Sequence, residues 1–75
     1  MINYKIDVMK SLAEKGFTAN RMRREKIMSE ATMQKLRHKE NVTTDTINKI
    51  CIMLRCQPGD VLEVIPTDEE KIKFF

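Results

Sequence analysis

The chain has 75 residues, 41% apolar and 33% charged, with a net charge of +3, which fits one small domain near the lower limit for a single core. Two glycines and two prolines are too few for a multi-turn β architecture. No segment approaches transmembrane length, and Met1-Ile2-Asn3-Tyr4-Lys5 lacks the apolar run of a signal peptide, so the expected compartment is the cytoplasm.

Residues 5–15 read as a first helix, with Ile6, Met9, Leu12 and Ala13 at helical spacing. Gly16 suits a left-handed stop after it, and Phe17 is expected in the core just beyond. Thr18 is placed to cap a second helix over about 19–25, whose apolar content is thin: Ala19 and Met22, then Ile27 and Met28. A helix this short has little stability of its own and needs packing partners.

Ser29 is placed to cap a third helix through about His38, with Glu30 near its positive end and Met33 and Leu36 inward. Only Lys26-Ile27-Met28-Ser29 separates the second helix from the third, and two short helices joined so tightly make a helix-turn-helix. The charge is uneven across this part. Residues 21–39 hold Arg21, Arg23, Arg24, Lys26, Lys35, Arg37 and Lys39 against Glu25 and Glu30, a segment of +5 in a remainder of −2. Phosphate binding requires such a basic centre, and a solvated helix surface also produces one.

The fourth helix has the clearest period, with Ile47, Ile50, Cys51 and Leu54 at i, i+3, i+4 and i+7, and Thr43 or Thr44 as its cap. Cys51 and Cys56 are five apart, which is neither a zinc spacing nor a redox motif; they read as reduced small hydrophobes, and neither metal nor cofactor is expected. Gln57-Pro58-Gly59-Asp60 is a break and restart, with Pro58 opening a fifth helix that holds Val61, Leu62, Val64 and Ile65 and stops at Pro66. Residues 67–75 read as a charged tail ending in Phe74 and Phe75, so the expected division is a domain over 1–66 and a tail over 67–75. The expected fold class is all-α with five helices.

Lys35-Leu36-Arg37, then Asn41-Val42-Thr43-Thr44-Asp45-Thr46-Ile47-Asn48-Lys49-Ile50-Cys51, then Cys56-Gln57-Pro58-Gly59-Asp60-Val61-Leu62-Glu63 and Ile65-Pro66 follow one another. Over residues 2–66 the chain resembles the small Cro and lambda-repressor-like (XRE-type) transcriptional regulators of bacteria and their mobile elements. The resemblance implies that the third helix enters the major groove and turns Glu30, Ala31, Thr32, Gln34 and Lys35 toward base edges. It implies backbone contacts from Ser29, His38, Lys39 and Asn41, and from Thr18, Ala19 and Asn20 where the second helix begins. The chain departs from this family where Ala19 and Glu30 replace glutamine, where Arg23 replaces a small residue facing the third helix, and where Ile27 and Lys39 replace glycine. A side chain at a positive-φ position costs about 1 kcal/mol, so these two turns are expected to differ in shape.

The residues allow competing roles. Lys35 suits guanine O6 and N7, Gln34 suits adenine or a phosphate, and Glu30 suits cytosine N4 while repelling phosphates. Arg23 and Arg24 either reach flanking phosphates or pair with Glu25 and Glu30. A catalytic reading has nothing to stand on: His38 has no serine or cysteine nucleophile at a known spacing, and there is no glycine-rich phosphate loop or small-molecule site in the pattern. The expected function is sequence-specific binding of double-stranded DNA as a homodimer, since one recognition helix covers few base pairs. Val64, Ile65, Phe74 and Phe75 are the candidates for the dimer surface. The alternative is the same fold turned to binding another regulator without DNA affinity, which Ala19 and Glu30 keep open.

Overall fold

The computed structural model describes all of residues 1–75. In chain order it contains β1 (Ile2–Tyr4), α1 (Val8–Glu14), α2 (Ala19–Arg24), α3 (Glu30–Arg37), α4 (Thr44–Leu54), α5 (Pro58–Val61), β2 (Leu62–Val64) and α6 (Asp68–Phe74). Local chemistry fixes most of the helix starts. Asp7, Thr18, Ser29 and Thr43 each lie in extended backbone and accept a hydrogen bond from the amide three residues on, which satisfies one of the orphan donors of the first turn. α1 is therefore capped by Asp7 and starts at Val8 rather than at residue 5, and this sets its inward face. Val8 and Leu12 are buried, while Ala13, expected inside, is exposed.

Four helices end in the same way. The amide after the left-handed residue reaches back five positions: Phe17 to the Leu12 carbonyl, Ile27 to Met22, Glu40 to Lys35 and Cys56 to Cys51. The left-handed residues are Gly16, Lys26, Lys39 and Arg55, at φ of 90°, 55°, 57° and 56°. This is the double-bonded helix stop that glycine favours, here held three times by a cation. Lys39 thus keeps the glycine-like conformation. In the turn between α2 and α3 that conformation falls on Lys26, one residue before Ile27.

The core consists of Val8, Leu12, Met22, Met28, Met33, Leu36, Ile50, Cys51 and Val61. α1 packs on α3 and α4, and α4 packs on α5. The thin apolar content of α2 suffices because Met22 is fully enclosed and Met28, in the turn, is buried in the same core.

Two expectations are corrected. The fold is not all-α, because β1 and β2 pair antiparallel in the register Ile2 to Val64, Asn3 to Glu63 and Tyr4 to Leu62. α5 accordingly stops at Val61, and Leu62 to Val64 extend. The β-branched Val64, the exclusion of α conformation at Ile65 by Pro66, and the backbone bonds offered by the N-terminus all favour a strand. Val64 and Ile65 therefore do not lie on a helix. Residues 67–75, expected as a tail, form a sixth helix. The Thr67 hydroxyl accepts from the Glu70 amide at 3.1 Å and the Glu70 carboxylate accepts from the Thr67 amide at 2.9 Å, the reciprocal capping box. The N-terminal amine donates to Glu70 Oε1 at 2.6 Å and to the Ile65 carbonyl at 2.9 Å, tying β1 to the start of α6. No helix is long and apolar enough to cross a membrane.

Candidate nucleic-acid interface

α3 presents three parallel stripes beyond its buried Met33 and Leu36. Ala31, Gln34, Lys35 and His38 recur at i, i+3, i+4 and i+7 and are all exposed, so they form the outward face of the helix. On one flank, Glu30, Gln34 and Arg37 border α2. On the other, Thr32, Lys35 and Lys39 run toward β1. Thr32 is half-buried, and its hydroxyl is bonded to Ser29 at 2.9 Å. Ser29 is committed twice, because the same hydroxyl caps the helix by accepting from the Thr32 amide.

The flank toward β1 carries two lysines outside any ion pair, Lys35 and Lys39, with Glu40 beside them. With Asn41 and Asn3 they line a surface depression of about 590 Å³. Tyr4 fixes its floor, since its hydroxyl donates to the Glu40 carbonyl at 2.7 Å and so pins the end of α3 to β1. Burial raises the Tyr4 pKa. Sequence reasoning missed Asn3 and Tyr4, because they meet α3 only through the pairing of β1 with β2.

The flank toward α2 is differently built. Arg23 forms a fork on Glu30: Nε donates to Oε2, and Nη2 donates to Oε1 at 3.2 Å. Gln34 Nε2 and Arg37 Nη1 each donate to Oε1 at 3.4 Å, and Arg23 Nη1 also donates to Asn20 Oδ1 at 3.0 Å. The carboxylate therefore sits among two guanidiniums and an amide. Its hydrogen bond with Arg23, more than any other cause, pulls its pKa down to about 2, and Arg23 is raised in turn.

The remaining cations divide in the same way. Arg21 lies 4.6 Å from the centre of the Phe17 ring and donates to Glu25 at 2.8 Å and to the Gly16 carbonyl at 3.3 Å. It braces the entry to α2. Arg24 approaches Glu25 only at 3.9 Å, and Lys26 makes no ion pair and lines a smaller notch of about 360 Å³ with Arg23, Ser29 and Glu30. At the start of α2, Thr18 accepts from the Arg21 amide at 3.2 Å, leaving the Ala19 and Asn20 amides directed outward from the first turn.

Two capped helices joined by the five residues Glu25 to Ser29, the second carrying an exposed polar face, define a helix-turn-helix. A family model described as the Cro/C1-type HTH DNA-binding domain matches residues 6–67. The chain belongs to this family. No curated protein and no solved structure gives a significant match. The Cro/C1-type domain spans α1 to β2 and ends at Thr67, so β1 and α6, the two elements joined through the N-terminal amine, flank it on either side. Within the Cro/C1-type frame, α2 and α3 are the helix-turn-helix pair.

Proposed function

We propose that the chain is a transcriptional regulator that binds double-stranded DNA sequence-specifically, with α3 in the major groove and two copies on a two-fold symmetric site. The observation that carries this reading is the outward stripe of α3, Ala31, Gln34, Lys35 and His38, flanked by unpaired Lys35 and Lys39 with Asn41 and by the open first turn of α2. Ala31, Gln34 and Lys35 face base edges, with Glu30 and Thr32 at the margins. Thr18, Asn20, Ser29, His38, Lys39 and Asn41 lie along the backbone, and Arg24 extends that track on the α2 side. Lys35 is the chief reader in this arrangement, because it has no acidic partner and a lysine suits guanine O6 and N7.

The reading is tested by selecting bound fragments from random duplex DNA and measuring Lys35→Ala on the winner. Enrichment of two half-sites about 10 base pairs apart, centre to centre, is expected. Lys35→Ala is expected to weaken the selected site by about 1–3 kcal/mol more than it weakens random duplex. No enrichment would remove sequence-specific binding, and an equal loss on both duplexes would remove Lys35 as a base reader.

A further inference from the structure

The Glu30 clamp stands out because it places an anion where a DNA-facing surface should hold cations free. Glu30 begins α3, on the same helix turn as Ala31 and Gln34, yet its two oxygens take hydrogen bonds from Arg23, Gln34 and Arg37. A forked guanidinium binds carboxylate and phosphate with the same geometry. All three charged side chains are a third or more exposed, at 45% for Arg23, 49% for Glu30 and 33% for Arg37, so polymer phosphate has access to them. Lys26 and Ser29 open beside the clamp in the 360 Å³ notch.

We propose that Glu30 is a positioning and specificity-determining residue that acts as a built-in competitor of DNA phosphate: its carboxylate holds Arg23 and Arg37, so that non-specific phosphate must displace it to gain them. The inference rests on the DNA-binding reading and deepens it. Two of the seven basic residues of the +5 segment are withheld from indiscriminate contact, which lowers affinity for random duplex and leaves Lys35 and Lys39 to carry the site. The carboxylate stays ionised throughout the neutral range, so the competition does not depend on pH there. The same clamp sets the approach of α2 to α3, since Arg23 spans from Asn20 at the start of α2 to Glu30 at the start of α3.

The test measures binding of random-sequence duplex across a salt series by the intact chain, by Glu30→Gln, and by Glu30→Gln combined with Arg23→Gln. Thermal melts verify that each variant is folded, and inorganic tripolyphosphate serves as a second probe. Glu30→Gln is expected to bind the duplex about tenfold more tightly near 50 mM salt. Its plot of log affinity against log salt should steepen by up to about two, because each neutralised phosphate contributes a slope near −0.9. Adding Arg23→Gln should return about half of that increase. Unchanged or weaker binding by folded Glu30→Gln, with an unchanged slope, overturns the proposal; a purely structural role for Glu30 would leave the slope alone. If no form binds duplex, the DNA-binding reading fails by itself. The clamp is then judged on tripolyphosphate, which should bind Glu30→Gln more tightly than the intact chain; equal binding overturns it.

Discussion

Three cations occupy backbone positions that glycine would fill without strain. Lys26, Lys39 and Arg55 each have φ near +55°, where a Cβ crowds the following carbonyl. They lie at helix C-termini, where a positive charge is favoured by the macrodipole, but that effect falls short of the conformational cost. Lys39→Gly should therefore stabilise the fold by about 0.5–1 kcal/mol, read as a raised urea midpoint. A lowered midpoint would mean that the Lys39 side chain contributes more to the folded state than its exposure implies. The same substitution removes a cation from the depression shared with Lys35 and Asn41. A protein that keeps lysine there accepts strain in favour of charge on the face proposed to meet DNA.

At the scale of elements, the helix-turn-helix is held by caps, by buried methionines and by one ionic link. Glu30 and Glu70 have similar roles in joining elements: the first fastens α3 to α2, the second fastens α6 to the N-terminal amine of β1. Both carboxyls are pulled down to about 2, Glu30 chiefly by Arg23 and Glu70 chiefly by the N-terminal amine. Their folded pKa values lie below the ordinary 4.5, so the unfolded chain takes up protons first as pH falls. Their stabilisation is thus complete above about pH 4.5 and is lost progressively as pH drops to about 2. Melting temperature should fall across that window. The fall should be shallower in Glu30→Gln and shallower still when Glu70→Gln is added; identical profiles for all three proteins would contradict these links. Caps of this kind are legible from sequence because they are local. Thr18, Ser29, Thr43 and Pro58 each announce a helix within four residues. The Thr67-to-Glu70 box carries the same signal, although the surrounding charges make that stretch read as a tail. The division of the cations was not legible, because whether Arg23 is free depends on a residue seven positions away on another helix. The β1–β2 pairing was hidden for a related reason: each strand has three residues, too few for a period, and the partners are about sixty residues apart.

The whole molecule has a well-packed centre and an apolar margin. Its extents of 46 × 23 × 19 Å are long in one direction for 75 residues. No residue of α6 is buried. Ile72, Phe74 and Phe75 are 87%, 75% and 85% exposed, and Ile2, its cross-strand partner Val64, and Ile65 just beyond β2 are exposed as well. Exposed apolar surface of this kind marks an interaction site, and a second copy satisfies the proposed symmetry of the DNA site. Phe74→Glu with Phe75→Glu leaves the capping box and the Met1–Glu70 link in place. By light scattering, the intact chain should have the mass of a dimer and this variant that of a monomer. A monomeric intact chain, or a variant that stays dimeric, would contradict a dimer surface at these residues.

DNA binding itself is tested most directly by one titration: the affinity of the intact chain for duplex DNA as salt is raised from about 50 to about 200 mM. Lys26, Lys35 and Lys39 make no ion pair and Arg24 meets Glu25 only at 3.9 Å, and each phosphate they neutralise contributes a slope near −0.9. The predicted result is measurable binding at low salt, with log affinity falling linearly against log salt at a slope of about −3 or steeper. Absence of binding above background at low salt, or binding indifferent to salt, would contradict the assignment of this face to DNA.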